Sequence, residues 1–145
     1  MLRRDLLLLA PGLSAWTAAH AQRAFASGQV WSIKAAPPTS AKVVIGRIEP
    51  LNGSIVVHVS IVDVPVPPGL PNAGGMMTIG HMPFDQAALA ASVDQLVGAK
   101  ATTAADFDGG YQNWQAAKGG VFTVSVPQAL EFAFEALKKA PSLPR

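Results

Sequence analysis

The sequence predicts an α+β domain: an antiparallel sheet of four to five strands with about three helices packed on one face. Strand patterns crowd the first half of the chain, and helical periodicity dominates the second half. An Asn-Gly pair between two of the strand patterns adds a tight turn. Strands followed by helices favour an antiparallel sheet with packed helices over alternating βαβ units.

The strands are predicted from alternation of apolar and polar residues. Trp31 and Ile33 share one side of the first strand pattern, which is typical of a strand with one buried face. Asn52-Gly53 readily adopts the positive φ angles of a two-residue turn and therefore predicts a hairpin. The predicted strands are 29–35, 42–49, 54–64, 76–82 and 121–125.

Three helices are predicted from capping residues and apolar stripes. The first begins at Asp85 as N-cap, the second covers about 107–118 and ends at Gly119-Gly120, and the third begins at Ser125. The stripe of the first helix is Leu89, Val93, Leu96 and Val97, and that of the third is Leu130, Ala133, Phe134 and Leu137.

The start of the chain has the order of a cleavable export signal. Arg3-Arg4 precede the apolar run 6–16, and Ala19 and Ala21 supply small side chains for cleavage. We expect a signal at 1–21, a short linker at 22–28, a single domain at 29–140, and a periplasmic or secreted protein. The arginine pair fits a twin-arginine signal as well as a general secretory one, and both routes stay open.

The composition limits the classes of partner that are expected for the mature domain. The apolar run is interrupted by Pro11-Gly12 and is too short for a spanning helix, which needs roughly 20 residues, so no stable membrane anchor is expected. The chain has no cysteine for a lipid anchor or a disulfide. Its net charge of +2 falls close to zero once the signal is removed, which argues against nucleic acid as a partner.

Two histidines outside the signal, His58 and His81, are the candidates for acid-base chemistry. A small hydrolase that pairs one of them with Asp63 or Asp85 is one alternative. However, the sequence contains no Gly-x-Ser-x-Gly motif to present a serine nucleophile. We therefore assign no catalytic residue.

Metal binding is a second alternative, because imidazole and thioether together suit Cu(I). His81 lies among Met76, Met77 and Met82. In a strand, Met77 and His81 would lie about 13 Å apart, and Met82 would face the other side, so neighbours cannot chelate one ion. Neither a metal site nor a cofactor is expected.

The aromatic residues suggest a binding role. Tyr111 and Trp114 are three residues apart on one face of a polar helix, where they could stack on a sugar ring or a peptide. Together with His81 they are the candidate ligand-binding residues. The proline-rich loop 65–75 is a second candidate region, since loops of this length are usually functional or disordered.

Three short motifs resemble a group of small bacterial proteins of unknown function. They are the strand Gly28-Gln29-Val30-Trp31-Ser32-Ile33-Lys34, the helix start His81-Met82-Pro83-Phe84, and the strand Gly120-Val121-Phe122-Thr123. The resemblance implies no known activity and transfers no functional residue. It does draw attention to His81 as the polar residue of an otherwise apolar helix start.

Taken together, the sequence predicts an exported, non-enzymatic binding or interaction module. Its partner would be an unknown protein, peptide or small ligand, bound on an open sheet face or around the proline-rich loop. The hydrolase and the copper protein are the alternatives.

Overall fold

The computed structural model describes residues 24–140, so the predicted signal 1–21, with Ala19 and Ala21, lies outside the described residues. Within them the predicted α+β class is confirmed, with five strands and three helices. The elements are β1 (Val30–Ile33), β2 (Lys42–Leu51), β3 (Ser54–Pro65), β4 (Met76–Asp85), α1 (Gln86–Ser92), β5 (Val93–Gly98), α2 (Phe107–Ala117) and α3 (Val126–Lys139). No helix in this part of the chain is long and apolar enough to cross a membrane.

The strands form one antiparallel sheet in the order β4-β3-β2-β1-β5. The predicted hairpin joins β2 to β3, with φ angles of 51° at Asn52 and 83° at Gly53. This turn sets the register, which places Arg47 opposite His58. Since paired residues of neighbouring strands share a face, Arg47 lies on the same face as His58.

The first predicted helix is too long, because α1 ends at Ser92 and the chain continues as β5. Val93 pairs with Ile33 of β1 and is fully buried, whereas Leu96 and Val97 are about half exposed instead of forming a helical stripe. The physical reason is non-local: β1 has a free edge, and β5 supplies its hydrogen-bond partners.

The predicted strands 76–82 and 121–125 also differ from the structure. β4 continues through Pro83 to Asp85, whereas the prediction ended it at Pro83. The predicted strand 121–125 is wrong: it shrinks to one parallel bridge between Phe84 and Phe122.

Both faces of the sheet centre are covered. Val57, Val59 and Ile61 of β3 belong to the main core, which includes Leu89 of α1 and Leu130 of α3. The alternate residues His58 and Ser60 of β3 are also fully buried, and rings of α2 pack on His58. The expectation that all the helices lie on one face is therefore not confirmed, because α2 covers the face opposite α1 and α3.

The predicted caps are confirmed at two helices. The Asp85 carboxylate accepts hydrogen bonds from the amides of Ala87 and Ala88, and the Ser125 hydroxyl accepts one from Gln128. In the third predicted stripe Leu130 is buried, but Leu137 is 44% exposed.

Residues 24–28, predicted as linker, pack on the domain. The ring of Phe25 meets that of Trp31 edge-on at 5.6 Å, and the amide of Gly28 donates to the carbonyl of Ile45. The packed domain therefore includes residues on the N-terminal side of β1.

Candidate functional site

A partly buried polar network occupies the sheet face beneath α2. It consists of Glu49 of β2, His58 of β3, His81 of β4 and Tyr111 of α2, and we call it the histidine network. His58 is completely inaccessible to solvent, while the side chain of Glu49 keeps 22% of its surface exposed. The network joins three strands to one helix.

Glu49 is the acceptor at one end of the network. Its Oε1 accepts from the Tyr111 hydroxyl at 2.7 Å and from Arg47 Nε at 3.1 Å. Its Oε2 lies 3.3 Å from His58 Nε2. Because a carboxylate only accepts, His58 carries a proton on Nε2.

His58 and His81 are joined directly by a short contact. His58 Nδ1 lies 2.9 Å from His81 Nε2, and the two rings are stacked with centroids 5.1 Å apart. A hydrogen bond at this distance needs one proton between the two nitrogens. When both rings are neutral, His58 Nδ1 accepts and His81 Nε2 donates.

Aromatic side chains of α2 close over the histidines. Tyr111 and Trp114 both meet the His58 ring edge-to-face, at centroid distances of 4.8 and 4.6 Å. Phe107 meets His81 in the same way at 5.5 Å. Arg47 then covers Tyr111 from outside, with its guanidinium carbon 4.6 Å from the ring centroid.

Burial controls the protonation of the network. It lowers the pKa of His58 even though Glu49 acts in the opposite direction. Burial and the neighbouring His58 lower the pKa of His81 to about 4. At Glu49, burial alone would raise the pKa, but hydrogen bonds from Tyr111 and Arg47 and the nearby His58 lower it overall. Near neutral pH the network therefore holds a carboxylate and two neutral imidazoles.

Glycines allow α2 to approach the sheet closely. A Cβ atom on Gly110 of α2 would lie 2.7 Å from the Cβ of His81, and one on Gly46 of β2 would lie 2.5 Å from the Phe107 ring. Ser60 anchors the segment before α2, because its hydroxyl donates to the carbonyl of Gly80 and accepts from the amide of Ala104. Side chains at either glycine would force the helix away from the histidines.

A cavity of about 280 Å³ opens between the β2–β3 hairpin and the C-terminal end of α2. The Glu49 carboxylate forms part of its wall and is thus shared with the histidine network. The indole of Trp114 is fixed by a 2.8 Å hydrogen bond from its N–H to the carbonyl of Gly120. The lining residues are Glu49, Leu51, Asn52, Trp114, Gln115, Lys118 and Gly119.

The three candidate ligand-binding residues lie together in this region. His81, Tyr111 and Trp114 are mutual neighbours, with ring centroids 5.8 to 6.2 Å apart. Trp114 reaches the cavity, whereas His81 and Tyr111 lie behind its wall. His81 and Tyr111 would therefore support the cavity wall rather than contact a ligand directly.

The structure does not bring together the residues of the hydrolase alternative. The Asp85 carboxylate caps α1, and Asp63 meets Ser40 through its backbone carbonyl. Neither hydrogen-bonds to a histidine, and the carboxylate that does so is Glu49.

The structure does not bring together the residues of the copper alternative either. Met82 belongs to the main core and Met77 packs against it, on the face opposite His81. Met76 is 56% exposed beside Ser40. Residues 24–140 contain no group of three or more histidine, aspartate or glutamate side chains placed to hold a metal ion.

The sequence interpretation missed Glu49 and Arg47, although a signal was present. A two-residue turn at Asn52-Gly53 pairs Arg47 with His58 and Glu49 with Val56, which puts both charges on the histidine's face. Extending the hairpin register by a few residues would have found the carboxylate.

The proline-rich loop forms a second, apolar groove of about 330 Å³. Leu70, Met77 and Leu137 are among the residues that line it. The loop is closed by two hydrogen bonds of Val66, whose amide donates to the carbonyl of Gly75 and whose carbonyl accepts from the amide of Gly74. It lacks charged groups, which leaves the Glu49 cavity as the better candidate.

No protein-family model, curated protein or solved structure matches this chain. The site therefore rests on its own geometry, and the resemblance to small bacterial proteins stays a prediction.

Proposed function

We propose that this protein is an exported domain that binds a small ligand in the cavity between the β2–β3 hairpin and α2. The observation that carries the proposal is the double role of Glu49. The same carboxylate lines the cavity and accepts hydrogen bonds from Tyr111, Arg47 and His58. A polar group held from behind in this way is pre-organised, which reduces the entropy lost when a ligand binds.

The lining indicates the chemistry of the ligand. Leu51 and the Trp114 indole offer apolar surface, while Asn52, Gln115 and Lys118 offer hydrogen-bonding groups around it. The charge of Glu49 is already partnered by Arg47. This combination suits a compact ligand with one apolar face and several hydroxyl or amide groups, such as a sugar ring or an amino acid.

The size of the cavity also limits the ligand. Sites for drug-sized molecules are roughly 300–1,000 Å³, and the 280 Å³ here lies just below that range. A single sugar or amino acid, or the terminal unit of a polymer of them, would fit, whereas an extended polymer would not be enclosed.

Titration of the ¹⁵N-labelled protein with neutral monosaccharides, free amino acids and small organic acids tests the proposal. We expect at least one compound to shift the amide signals of Asn52, Gln115 and Gly119 in a saturable way. Shifts confined to the groove of Leu70 and Leu137, or no saturable shift with any compound, would overturn it.

Two glutamines of α2 provide a matched pair of variants. Gln115 lines the cavity, whereas Gln112 is exposed on the same helix and does not. Gln115→Ala should weaken the binding of the compound found in the titration several-fold, because one hydrogen-bonding group is lost. Gln112→Ala should leave the affinity unchanged.

Export is part of the proposal and rests on the sequence of residues 1–21. Expression in a Gram-negative bacterium followed by fractionation should recover the protein in the periplasm or the medium. Its mass should be that of a chain that begins at Gln22. A bulky residue at Ala21 should block cleavage. Replacing Arg3 and Arg4 by lysine should stop export only if the twin-arginine route is used.

A further inference from the structure

We propose that the His58–His81 pair is an acid-operated latch: when both rings carry a second proton, their hydrogen bond breaks and the two charged rings no longer support the aromatic side chains of α2 that pack on them, so that α2 leaves the sheet and the cavity is lost. The latch concerns regulation of the cavity described above, so its biological meaning rests on the proposed function. Its physical basis is the geometry of the pair.

The contact between the rings tolerates one added proton but not two. His58 Nδ1 and His81 Nε2 are 2.9 Å apart, and a hydrogen bond needs one donor and one acceptor. One added proton can be accommodated, since His58 then donates from Nδ1 and His81 accepts. With two added protons both nitrogens carry hydrogen, and two donors and two positive charges face each other.

The groups around the pair compensate only one positive charge. Glu49 of β2 contacts His58, but Arg47 of the same strand brings a positive charge to that carboxylate. Tyr111 of α2 contributes a neutral hydroxyl, and the carboxylate of Asp106, just before α2, packs at Gly80 next to His81. Among the described residues no carboxylate forms an ion pair or a hydrogen bond with His81, so the second charge lacks a direct ionic partner.

Helix α2 depends on these contacts more than α3 does. Only Phe107 and Tyr111 are buried in α2, and both pack against the histidines. Two glycines, Gly109 and Gly110, lower its intrinsic helix stability. An isolated helix of this length is marginal in water, so release from the sheet would also unwind it.

Loss of α2 removes one wall of the cavity. Trp114, Gln115 and Lys118 come from α2 and its end, while Glu49, Leu51 and Asn52 come from the hairpin. A ligand held between the two elements would be released when they separate.

Nuclear magnetic resonance of the ligand-free protein tests the latch. Trp114 and Trp31 each donate an indole N–H hydrogen bond, the first within the region of α2 and the second at β1. As the pH falls from about 7 to about 4, we expect the Trp114 indole signal and the helical Cα shifts of 107–117 to move to unfolded values. The Trp31 signal and the shifts of α3 should stay.

Variants separate the latch from ordinary acid unfolding. His81→Gln keeps a group that can donate or accept, so α2 should remain attached over the same range. His58→Gln makes the same substitution at the other ring of the pair, and the same result is expected. Glu135→Gln, which removes an exposed ion pair with Lys138 on α3, is the control and should behave as the parent protein.

Either of two results would overturn the latch. One is an α2 that keeps its helical shifts at a pH low enough that both histidines have titrated, which for His81 lies below about 4. The other is simultaneous loss of α2 and α3 in the parent protein, which would be global unfolding. Neither result depends on a ligand, whereas failure of the cavity to bind any tested compound near pH 7 would overturn the proposed function and leave the latch standing.

Discussion

Glu49 and Gly110 decide the geometry of the site at the scale of single residues. Glu49 collects hydrogen bonds from two strands and one helix, and Gly110 lets that helix reach His81. A glycine inside a helix lowers helix stability by about 1 kcal/mol relative to alanine. At Gly110 this loss is offset by the close packing that a side chain would prevent.

The two neighbouring glycines of α2 give opposite predictions. Gly110→Ala should destabilise the protein by about 1–3 kcal/mol, because the added Cβ would overlap His81. Gly109→Ala should stabilise it by up to about 1 kcal/mol, because no atom lies within 4 Å of the new methyl group. Urea unfolding at pH 7 measures both, and equal effects would contradict the close approach of α2 to β4.

At this scale the sequence predicted part of the site. Tyr111 and Trp114 were recognised from their spacing on a polar helix, and His81 from its apolar surroundings. Glu49 could have been found from the hairpin register, but its pairing with Tyr111 could not. The two residues are 62 positions apart, and only the packing of α2 on the sheet brings them together.

At the scale of elements, local signals predict the caps and the turn correctly, but they miss β5 and predict a strand at 121–125 where the structure has only a single bridge. Asp85 and Ser125 cap the helices that the sequence assigned to them, and Asn52-Gly53 makes the expected turn. β5 was read as helix because Leu89, Val93, Leu96 and Val97 have helical spacing. Its strand conformation follows from pairing with β1, which no local pattern records.

The capping residues of α1 and α2 should differ in their contribution to stability. Asp85→Ala should lower the free energy of unfolding by about 1 kcal/mol, because two amide hydrogen bonds are lost. Asp106 stands at the N-cap of α2, but its carboxylate makes no capping hydrogen bond, so Asp106→Ala should have a smaller effect. Thermal unfolding of the two variants compares them directly, and a larger loss for Asp106→Ala would contradict this account of α2.

The whole molecule should lose stability in acid through the histidine network. The pKa values of His58 and His81 are lowered by folding, so between the ordinary value of 6.5 and about 4 the unfolded chain binds more protons than the folded one. Their contribution is therefore complete above pH 6.5 and decreases as the pH falls. Glu49, whose pKa is also lowered, adds a loss in the same direction below about pH 4.5.

Urea unfolding at several pH values between 7 and 4.5 measures this dependence. The free energy of unfolding should fall steadily as the pH decreases, and His81→Gln should show a smaller slope, since one of the two protons is no longer taken up. A slope that is the same in the parent protein and in His81→Gln would contradict the role of His81.

The central claim at this scale is that the histidine network ties α2 to the sheet and so builds the cavity. A double-mutant cycle between Glu49→Ala and Tyr111→Phe measures the coupling between β2 and α2 most directly. Glu135→Gln and Tyr111→Phe form a distant control pair. We predict a coupling energy of about 1–2 kcal/mol for Glu49 and Tyr111 and additive effects for the control pair. Additive effects of Glu49→Ala and Tyr111→Phe, within about 0.5 kcal/mol, would contradict the claim.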